Sequence, residues 1–152
     1  MKLAQSIKRG FTLIELLVVI GILAILLAIT LIAINPQRQF QQANDTKRKS
    51  DVNTILNAVG QYAADHNGAL PAGVTAVDQE VSTAGADICT ELIPTYIAAL
   101  PVDPTTGTGA PITTCPVDPA TYVTGYNIVS VNNRVTVSAP DAQITTPITV
   151  TR

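Results

Sequence analysis

An uninterrupted apolar segment near the N-terminus limits what this chain can fold into. From Phe11 to Ile34 the only polar side chains are those of Thr12, Glu15 and Thr30. As an α-helix the segment is about 36 Å long, which exceeds the roughly 30 Å hydrocarbon core of a bilayer. The segment therefore predicts a membrane-spanning helix.

A short basic leader precedes this segment and ends at Gly10. The leader carries Lys2, Lys8 and Arg9. The apolar segment exceeds the roughly 7–15 apolar residues of a secretory signal peptide, and no small-residue cleavage site follows it. Any cleavage would fall before the segment, so we expect the apolar helix to stay in the mature protein.

The carboxylate of Glu15 is the unusual feature inside the apolar segment. A carboxylate within a membrane helix costs on the order of 2.5 kcal/mol or more, and such groups are usually paired. One interpretation places Glu15 near the helix end, where it reaches the interface or favours the helix dipole. The other pairs it with the α-amino group of Phe11 on a neighbouring chain, which cleavage after Gly10 would create. A buried charge pair of that kind is well suited to fixing register.

The junction from Lys8 to Glu15 resembles the processing site of type IV prepilins and type II secretion pseudopilins, with the match at Gly10, Phe11 and Glu15. The resemblance implies cleavage between Gly10 and Phe11 by a prepilin peptidase and N-methylation of Phe11. It also implies assembly into a helical filament through Glu15, with copies of the chain and other pilins as partners. An assembly platform protein and an ATPase are further partners that the family implies.

Two cysteines, Cys89 and Cys115, are predicted to form one disulfide on the oxidising side of the membrane, with two buried free thiols as the alternative.

Basic residues flank both ends of the apolar segment, so charge alone barely decides orientation. The cysteines favour a cytoplasmic N-terminus. We therefore expect a single-pass protein of the cytoplasmic membrane, and then an extracellular pilus or a periplasmic pseudopilus.

The charge balance argues against nucleic acid as the main direct ligand. The formal net charge is −2, and removal of the leader leaves six basic against eleven acidic side chains. A surface that neutralises phosphates needs the opposite balance.

Helical periodicity continues beyond the apolar segment. Asn35-Pro36 is either a cap with a first helical residue or a kink in one helix. Apolar residues from Val52 to Ala63 then recur at helical spacing up to His66-Asn67-Gly68, where Gly68 is a natural stop. We expect one helical spine from Phe11 to His66, divided into leader 1–10, membrane or filament-core helix 11–34 and amphipathic helix 35–67.

Residues 68–152 are predicted to form a loop-rich head with a small antiparallel sheet. A short helix is expected from Glu91 to Leu100, and Asn132-Asn133 predicts a tight hairpin because Asn tolerates positive φ. Tyr122 and Val123 are candidates for the start of an earlier strand, before the hairpin, and Ile148 to Val150 for a terminal one. The fold class is α+β, with a long N-terminal helix packed on a small antiparallel sheet in the pilin manner.

The loop around Leu100-Pro101-Val102-Asp103-Pro104 is similar to a stretch that leads into the calcium-binding loop of major pseudopilins. Asp103 and Asp118 are therefore weak calcium candidates, although Asp-Pro is also turn chemistry. No other cofactor or metal site is expected.

Three further features have ordinary structural interpretations beside functional ones. Lys47-Arg48-Lys49 is predicted as a solvated helix face, with filament contacts or anionic headgroups as the alternative. His66 is predicted to be solvated at a helix C-terminus. Gly21, Ala24 and Ala28 form a small-residue stripe that suits close helix packing.

The sequence predicts a structural subunit of a type IV pilus-like filament that serves adhesion, motility or DNA uptake, and not an enzyme. One alternative is a pseudopilin of a type II secretion system. Another is an uncleaved single-span membrane protein whose small outer domain binds a ligand.

Overall fold

A computed structural model describes residues 10–107, 109–115, 121–145 and 147–152. The chain forms two compact units, one up to Gln39 and one from Phe40 to Arg152. The basic side chains of the leader and the weak calcium candidate Asp118 lie outside the described residues.

The apolar segment forms helix α1, Leu13–Ile34, as predicted. Thr12 is its N-cap, with an extended backbone. No residue of α1 is buried. Within the described ranges it is the one helix that is long and apolar enough to cross a membrane.

The helical path is interrupted at one residue, Asn35. Asn35 adopts the left-handed conformation, with φ 46° and ψ 81°. Proline disfavours the helical conformation in the residue before it and is well placed as a first helical residue. Helix α2, Pro36–Asp65, accordingly begins with Pro36, and the side-chain oxygen of Asn35 accepts a hydrogen bond from the Arg38 amide at 3.4 Å. Of the two sequence interpretations, the cap followed by a first helical proline is confirmed.

Helix α2 is amphipathic in its second half, as predicted. Its buried apolar residues are Val52, Ile55, Leu56, Ala58 and Val59. The helix ends where expected: Asn67 and Gly68 have positive φ, and the Gly68 amide donates to the Ala63 carbonyl at 2.8 Å. This closes the helix in the manner of a glycine C-cap.

Four antiparallel strands form one sheet in the order β1-β2-β3-β4. The strands are β1, Gln79–Ser82; β2, Val123–Val131; β3, Arg134–Ala139; and β4, Ile148–Thr151. Asn132 and Asn133 have φ of 52° and 61° between β2 and β3, so the predicted hairpin is confirmed. The predicted terminal strand is β4. The separate earlier strand expected at Tyr122 and Val123 is wrong, because Val123 is the first residue of β2 itself and Tyr122 directly precedes it. Strand β1 lies in a segment that the sequence predicts to be mostly loop.

The short helix predicted from Glu91 to Leu100 is wrong in extent. Helix α3 is Cys89–Leu92, and Ile93 after it is extended, with ψ 135°. The reason is Pro94, which lacks an amide hydrogen and restricts the residue before it.

The core of the second unit lies where α2 and α3 meet the sheet. Ile55 and Val52 of α2, Leu92 of α3 and Ile128 and Val137 of the sheet are at most 1 % exposed. Leu100 is also fully buried and pairs with Ile112 through an isolated bridge. The loop after α3 is thereby fixed to the body of the head.

Gly125 in β2 is required where the loop after Leu100 approaches the sheet. Its φ is +78°, and a Cβ there would lie 2.7 Å from the Cβ of Asp103 and 2.9 Å from the hydroxyl of Thr106. We expect Gly125→Ala to lower the free energy of unfolding by on the order of 2 kcal/mol, from backbone strain and the displaced loop. Thermal unfolding of the full chain in detergent, followed by circular dichroism, measures the loss.

Gly60→Ala is the matched control for this substitution. Gly60 lies within α2, and a Cβ there meets no atom within 4 Å. Alanine should raise stability by about 0.5–1 kcal/mol, because glycine is unfavourable inside helices. Equal losses in the two variants would contradict a special role for Gly125.

Candidate functional site

The predicted processing site lies on an exposed, non-helical segment directly before α1. Gly10 is exposed, and the Phe11 side chain is 83 % exposed. The helix begins only at Leu13, after the Thr12 cap. The bond between Gly10 and Phe11 is therefore outside the helical hydrogen-bond ladder.

Glu15 forms a capping box with Thr12 at the start of α1. The Glu15 Oε2 atom accepts a hydrogen bond from the Thr12 amide at 2.8 Å and from the Thr12 hydroxyl at 2.7 Å. The Glu15 amide in turn donates to the Thr12 hydroxyl oxygen at 3.3 Å. The sequence interpretation missed Thr12, although Thr-x-x-Glu before an apolar run is the signature of this motif.

The capping box uses only one of the two carboxylate oxygens of Glu15. Both bonds from Thr12 go to Oε2, and no described residue donates to Oε1. Glu15 lines a shallow, open pocket together with Phe11, Ile14, Val18 and Val19. A cation that approaches the exposed carboxylate could therefore reach Oε1 without displacing Thr12.

The predicted small-residue stripe also lies on an open surface. Gly21, Ala24 and Ala28 are exposed on α1, and a Cβ at Gly21 would meet no atom within 4 Å. Small residues at this spacing let another helix approach closely.

The prediction that Lys47-Arg48-Lys49 is a solvated face is wrong for Arg48. The Arg48 side chain has no exposed surface. Its guanidinium donates to Asp103 from Nε at 2.6 Å and from Nη2 at 3.0 Å, and to Asp45 from Nη1 at 3.0 Å. Nη2 also donates to the Thr105 hydroxyl at 2.6 Å. Three neighbouring cations thus have different surroundings, and the middle one is a core residue.

The carboxylate of Asp103 accepts several hydrogen bonds. Besides Arg48, it accepts hydrogen bonds from the Thr105 amide and hydroxyl, both at 2.8 Å, and from the Thr106 amide at 3.1 Å. Burial opposes ionisation, but the hydrogen bonds from Arg48 and the two threonines outweigh it, so the pKa of Asp103 lies well below its ordinary value. The same ion pair raises the pKa of Arg48.

Asp45 joins a third segment to the same guanidinium. It accepts the amide hydrogens of Gln143 and Ile144 at 2.9 and 2.8 Å. Burial acts against the charge of Asp45, yet these amides and Arg48 prevail and lower its pKa. Arg48 and Asp45 together therefore connect α2, the loop after Leu100 and the loop before β4. We call Arg48, Asp45, Asp103 and Thr105 the arginine network.

Lys47 reinforces the same contact from the surface. Its ammonium group donates to Asp51 at 2.8 Å and to the Val102 carbonyl at 2.7 Å. Asp51 also accepts a hydrogen bond from the Tyr126 hydroxyl at 2.7 Å. Burial raises the pKa of Tyr126, and the hydrogen bond to the Asp51 carboxylate raises it further.

The weak calcium candidates are not brought together in what the structure describes. Asp103 is bound to Arg48, and Asp118 lies outside the described residues. Across the described ranges, no three His, Cys, Asp or Glu side chains group closely enough to hold a metal ion.

The predicted disulfide is present between Cys89 and Cys115, with Cα atoms 5.9 Å apart. It joins the start of α3 to the far end of the loop that carries Asp103. The bond and the arginine network thus act on the same loop.

His66 is exposed, as predicted, but it is not free. Its Nδ1 lies 2.8 Å from the Tyr62 carbonyl and its ring stacks on Tyr62 with centroids 3.9 Å apart. Because a carbonyl only accepts, Nδ1 carries the hydrogen. Tyr96 packs edge-on against Tyr62. The cluster stabilises the end of α2.

Comparison with known proteins identifies the N-terminal segment. Residues 6–31 match the family model described as the prokaryotic N-terminal methylation motif. No curated protein and no solved structure matches the chain closely enough to count as similar. The prepilin-type segment expected from the sequence is confirmed at residues 6–31.

The arginine network predicts a large effect at Arg48. Arg48→Met should lower the free energy of unfolding by about 3–5 kcal/mol, because it leaves two buried carboxylates without their cation. Lys49→Met is the matched control, since Lys49 is the exposed neighbour, and should stay within about 0.5 kcal/mol of the parent. Thermal unfolding of the full chain in detergent measures both. A loss at Arg48 as small as that at Lys49 would show that the network does not hold the head.

The same network predicts acid sensitivity. Asp45 and Asp103 both have a folded-state pKa below the ordinary 3.8, so the stability that they contribute is complete above that value and is lost as the pH falls below it. Asp103→Asn should lower stability at neutral pH and make the decline in acid shallower. The check is the unfolding temperature measured from about pH 6 to about pH 2, with the exposed Asp141→Asn as control. Parallel curves for Asp103→Asn and the parent would refute the assignment.

Proposed function

We propose that this chain is the structural subunit of a type IV pilus-like filament, cut after Gly10 and polymerised through α1. The observation that carries the proposal is α1 itself: an apolar helix with no buried residue, which overlaps the methylation motif and has one carboxylate near its start. In a bilayer that surface contacts lipid. In a filament it contacts the same helix of other subunits.

Cleavage would supply the charge that Glu15 lacks. Removal of the leader exposes an α-amino group on Phe11, four residues from Glu15. Within one chain Glu15 is already bonded to Thr12, but its Oε1 is open to a neighbour's amine. Pairing between chains would fix how far one subunit is displaced along the next, the role for which buried charge pairs are best attested.

Close packing of α1 helices is supported by the small-residue stripe. Lipid tails are as apolar as leucine, so helices in lipid associate through packing and polar contacts and not through burial from water. Gly21, Ala24 and Ala28 allow close approach, while Glu15 supplies the polar contact. Both features are on the helix that carries the methylation motif.

The disulfide supports the proposed orientation. Cys89 and Cys115 are in the head, and disulfides persist on the oxidising side of a membrane. We therefore place the N-terminus in the cytoplasm and the head outside it. The prepilin peptidase, other pilins, a platform protein and an assembly ATPase are the partners that this function needs, with adhesion, motility or DNA uptake as the task of the filament.

A structural role is also consistent with the polar groups of the head. The arginine network connects three segments of the fold, and each of its charges is satisfied within the chain. We propose that the Arg48 guanidinium is the cation of the Asp103 loop and that the head needs no cofactor. The Leu-Pro-Val-Asp-Pro sequence of that loop still favours a pseudopilin as the second candidate, and loss of the fold with a calcium chelator would support it.

Processing and polymerisation can be tested on the chain in its native envelope. With an active prepilin peptidase we expect a mature protein that starts at Phe11, heavier by one methyl group than the bare cleavage product. Glu15→Leu should still be cleaved, because the scissile bond is unchanged, but should yield few or no filaments. Mass spectrometry and filament recovery after shearing are the two measurements.

Thr30→Val is the control for Glu15→Leu. Thr30 is another polar residue of α1, and its hydroxyl donates only to the Leu27 carbonyl of the same helix. This variant should polymerise normally. A parent chain that keeps Met1 beside an active peptidase would overturn the filament proposal and favour an uncleaved membrane protein with a ligand-binding head.

A further inference from the structure

An apolar pocket of about 260 Å³ lies beside the second half of α2. Leu56 and Val59 are almost fully buried in its floor, and Ala63, Leu70 and Val135 complete the apolar lining. Gly60 is part of the lining and leaves free space beside it, since a Cβ there would meet no atom within 4 Å. Arg152 lies at the pocket and donates a hydrogen bond to Asn57. An apolar floor with a polar rim is typical of interface anatomy.

The same unit exposes a side chain of suitable type. Phe40, near the start of α2, is 72 % exposed. Among the described residues of this unit, the other exposed large apolar side chains are aliphatic: Val77, Val131 and Ile144. An exposed aromatic ring is the kind of group that anchors an interface.

Helix geometry separates the ring from the pocket of its own chain. Phe40 and Gly60 both belong to α2 and are twenty residues apart, which corresponds to about 30 Å along the axis and a rotation of roughly 200°. A continuous helix keeps that separation. Phe40 can therefore fill this pocket only on another molecule.

We propose that Phe40 of one subunit inserts into the Gly60 pocket of a second copy of this chain. The inference rests on the proposed filament, because it names a contact between heads whose α1 helices are already assembled.

The small area of the contact limits which partner can occupy the pocket. One aromatic side chain buries about 150–250 Å², far below the roughly 1,200 Å² of a stable interface. The contact cannot recruit an independent soluble protein. It becomes effective when another interaction already holds the partner at high local concentration, as the apolar surface of α1 would do for a second copy.

The placement also determines the kind of assembly. A ring and a pocket on opposite flanks of one helix make a heterologous contact, in which each subunit uses one surface on the copy before it and a different surface on the copy after it. Such contacts give rings when the rotation closes and open helical filaments when it does not. An axial offset between the two surfaces favours the open filament.

The test is cross-linking in assembled filaments of the full-length, processed chain. A variant with both Phe40→Cys and Gly60→Cys is treated with a short thiol-specific bifunctional reagent and run on a denaturing gel. We expect a ladder of dimers, trimers and higher species, because each chain carries one ring site and one pocket site. The control is Val77→Cys with Gly60→Cys, which replaces another exposed apolar residue and should stay monomeric.

Two further variants test whether the ring and the pocket matter energetically. Phe40→Ala, which removes the ring, and Gly60→Leu, which fills the pocket, should each weaken subunit association by about tenfold. The readout is the fraction of subunit recovered in filaments relative to the membrane pool, beside Val77→Ala. Circular dichroism checks that each variant is folded.

The outcomes separate this inference from the filament proposal. Filaments of the parent and of the cysteine variant without a ladder would overturn the Phe40 contact and leave polymerisation standing. A ladder in the Val77 control equal to that of the Phe40 variant would also overturn it. A parent chain that forms no filaments would instead contradict the proposed function itself.

Discussion

The guanidinium of Arg48 determines how the head is held together. A cation with no exposed surface needs complete compensation, and it receives this from Asp103, Asp45 and Thr105. Asp103 and Thr105 come from a loop beside β2, whereas Asp45 lies on α2 itself and accepts hydrogen bonds from backbone amides of the segment before β4. Replacement of such an ion pair by apolar groups is often harmless, whereas removal of one member is costly. The network therefore specifies where two loops lie on α2 more than it adds net stability.

The loop around Asp103 depends on three constraints of different kinds. Arg48 holds its carboxylate, the disulfide from Cys89 ties the far end to α3, and Gly125 leaves room for its backbone above β2. A small head has limited apolar surface to bury. Covalent and ionic constraints therefore contribute more to fixing its fold than they do in a large domain. The loop is fixed within a domain whose chain is otherwise rich in turns.

The sequence predicted those parts that depend on local pattern. The apolar segment gave α1, the spacing from Val52 gave the buried face of α2, and Asn132-Asn133 gave the hairpin. What it missed depends on distant partners. Strand β1 has a single strongly apolar residue, Val81, and exists because it pairs with β2, more than forty residues later. Arg48 resembles its neighbours Lys47 and Lys49 in sequence, and only Asp103, 55 positions away, makes it a core residue. Two local features were also misjudged: Thr12, the partner of Glu15 in the capping box, and Pro94, which ends α3 early.

Thr12 also explains how one carboxylate can serve two states of the proposed assembly. Before the proposed polymerisation, the amide and hydroxyl of Thr12 satisfy Oε2 of Glu15. Hydrogen bonds to the charged carboxylate would offset part of the cost of placing it in a membrane helix, so the subunit could remain in the bilayer without a partner. Assembly need not break these bonds, because Oε1 remains for the amine of a neighbour. In the proposed assembly, the capping box would stabilise the unassembled subunit and leave Oε1 available for the interaction between chains. Cleavage after Gly10 would create the amine and would then be the step that makes polymerisation favourable.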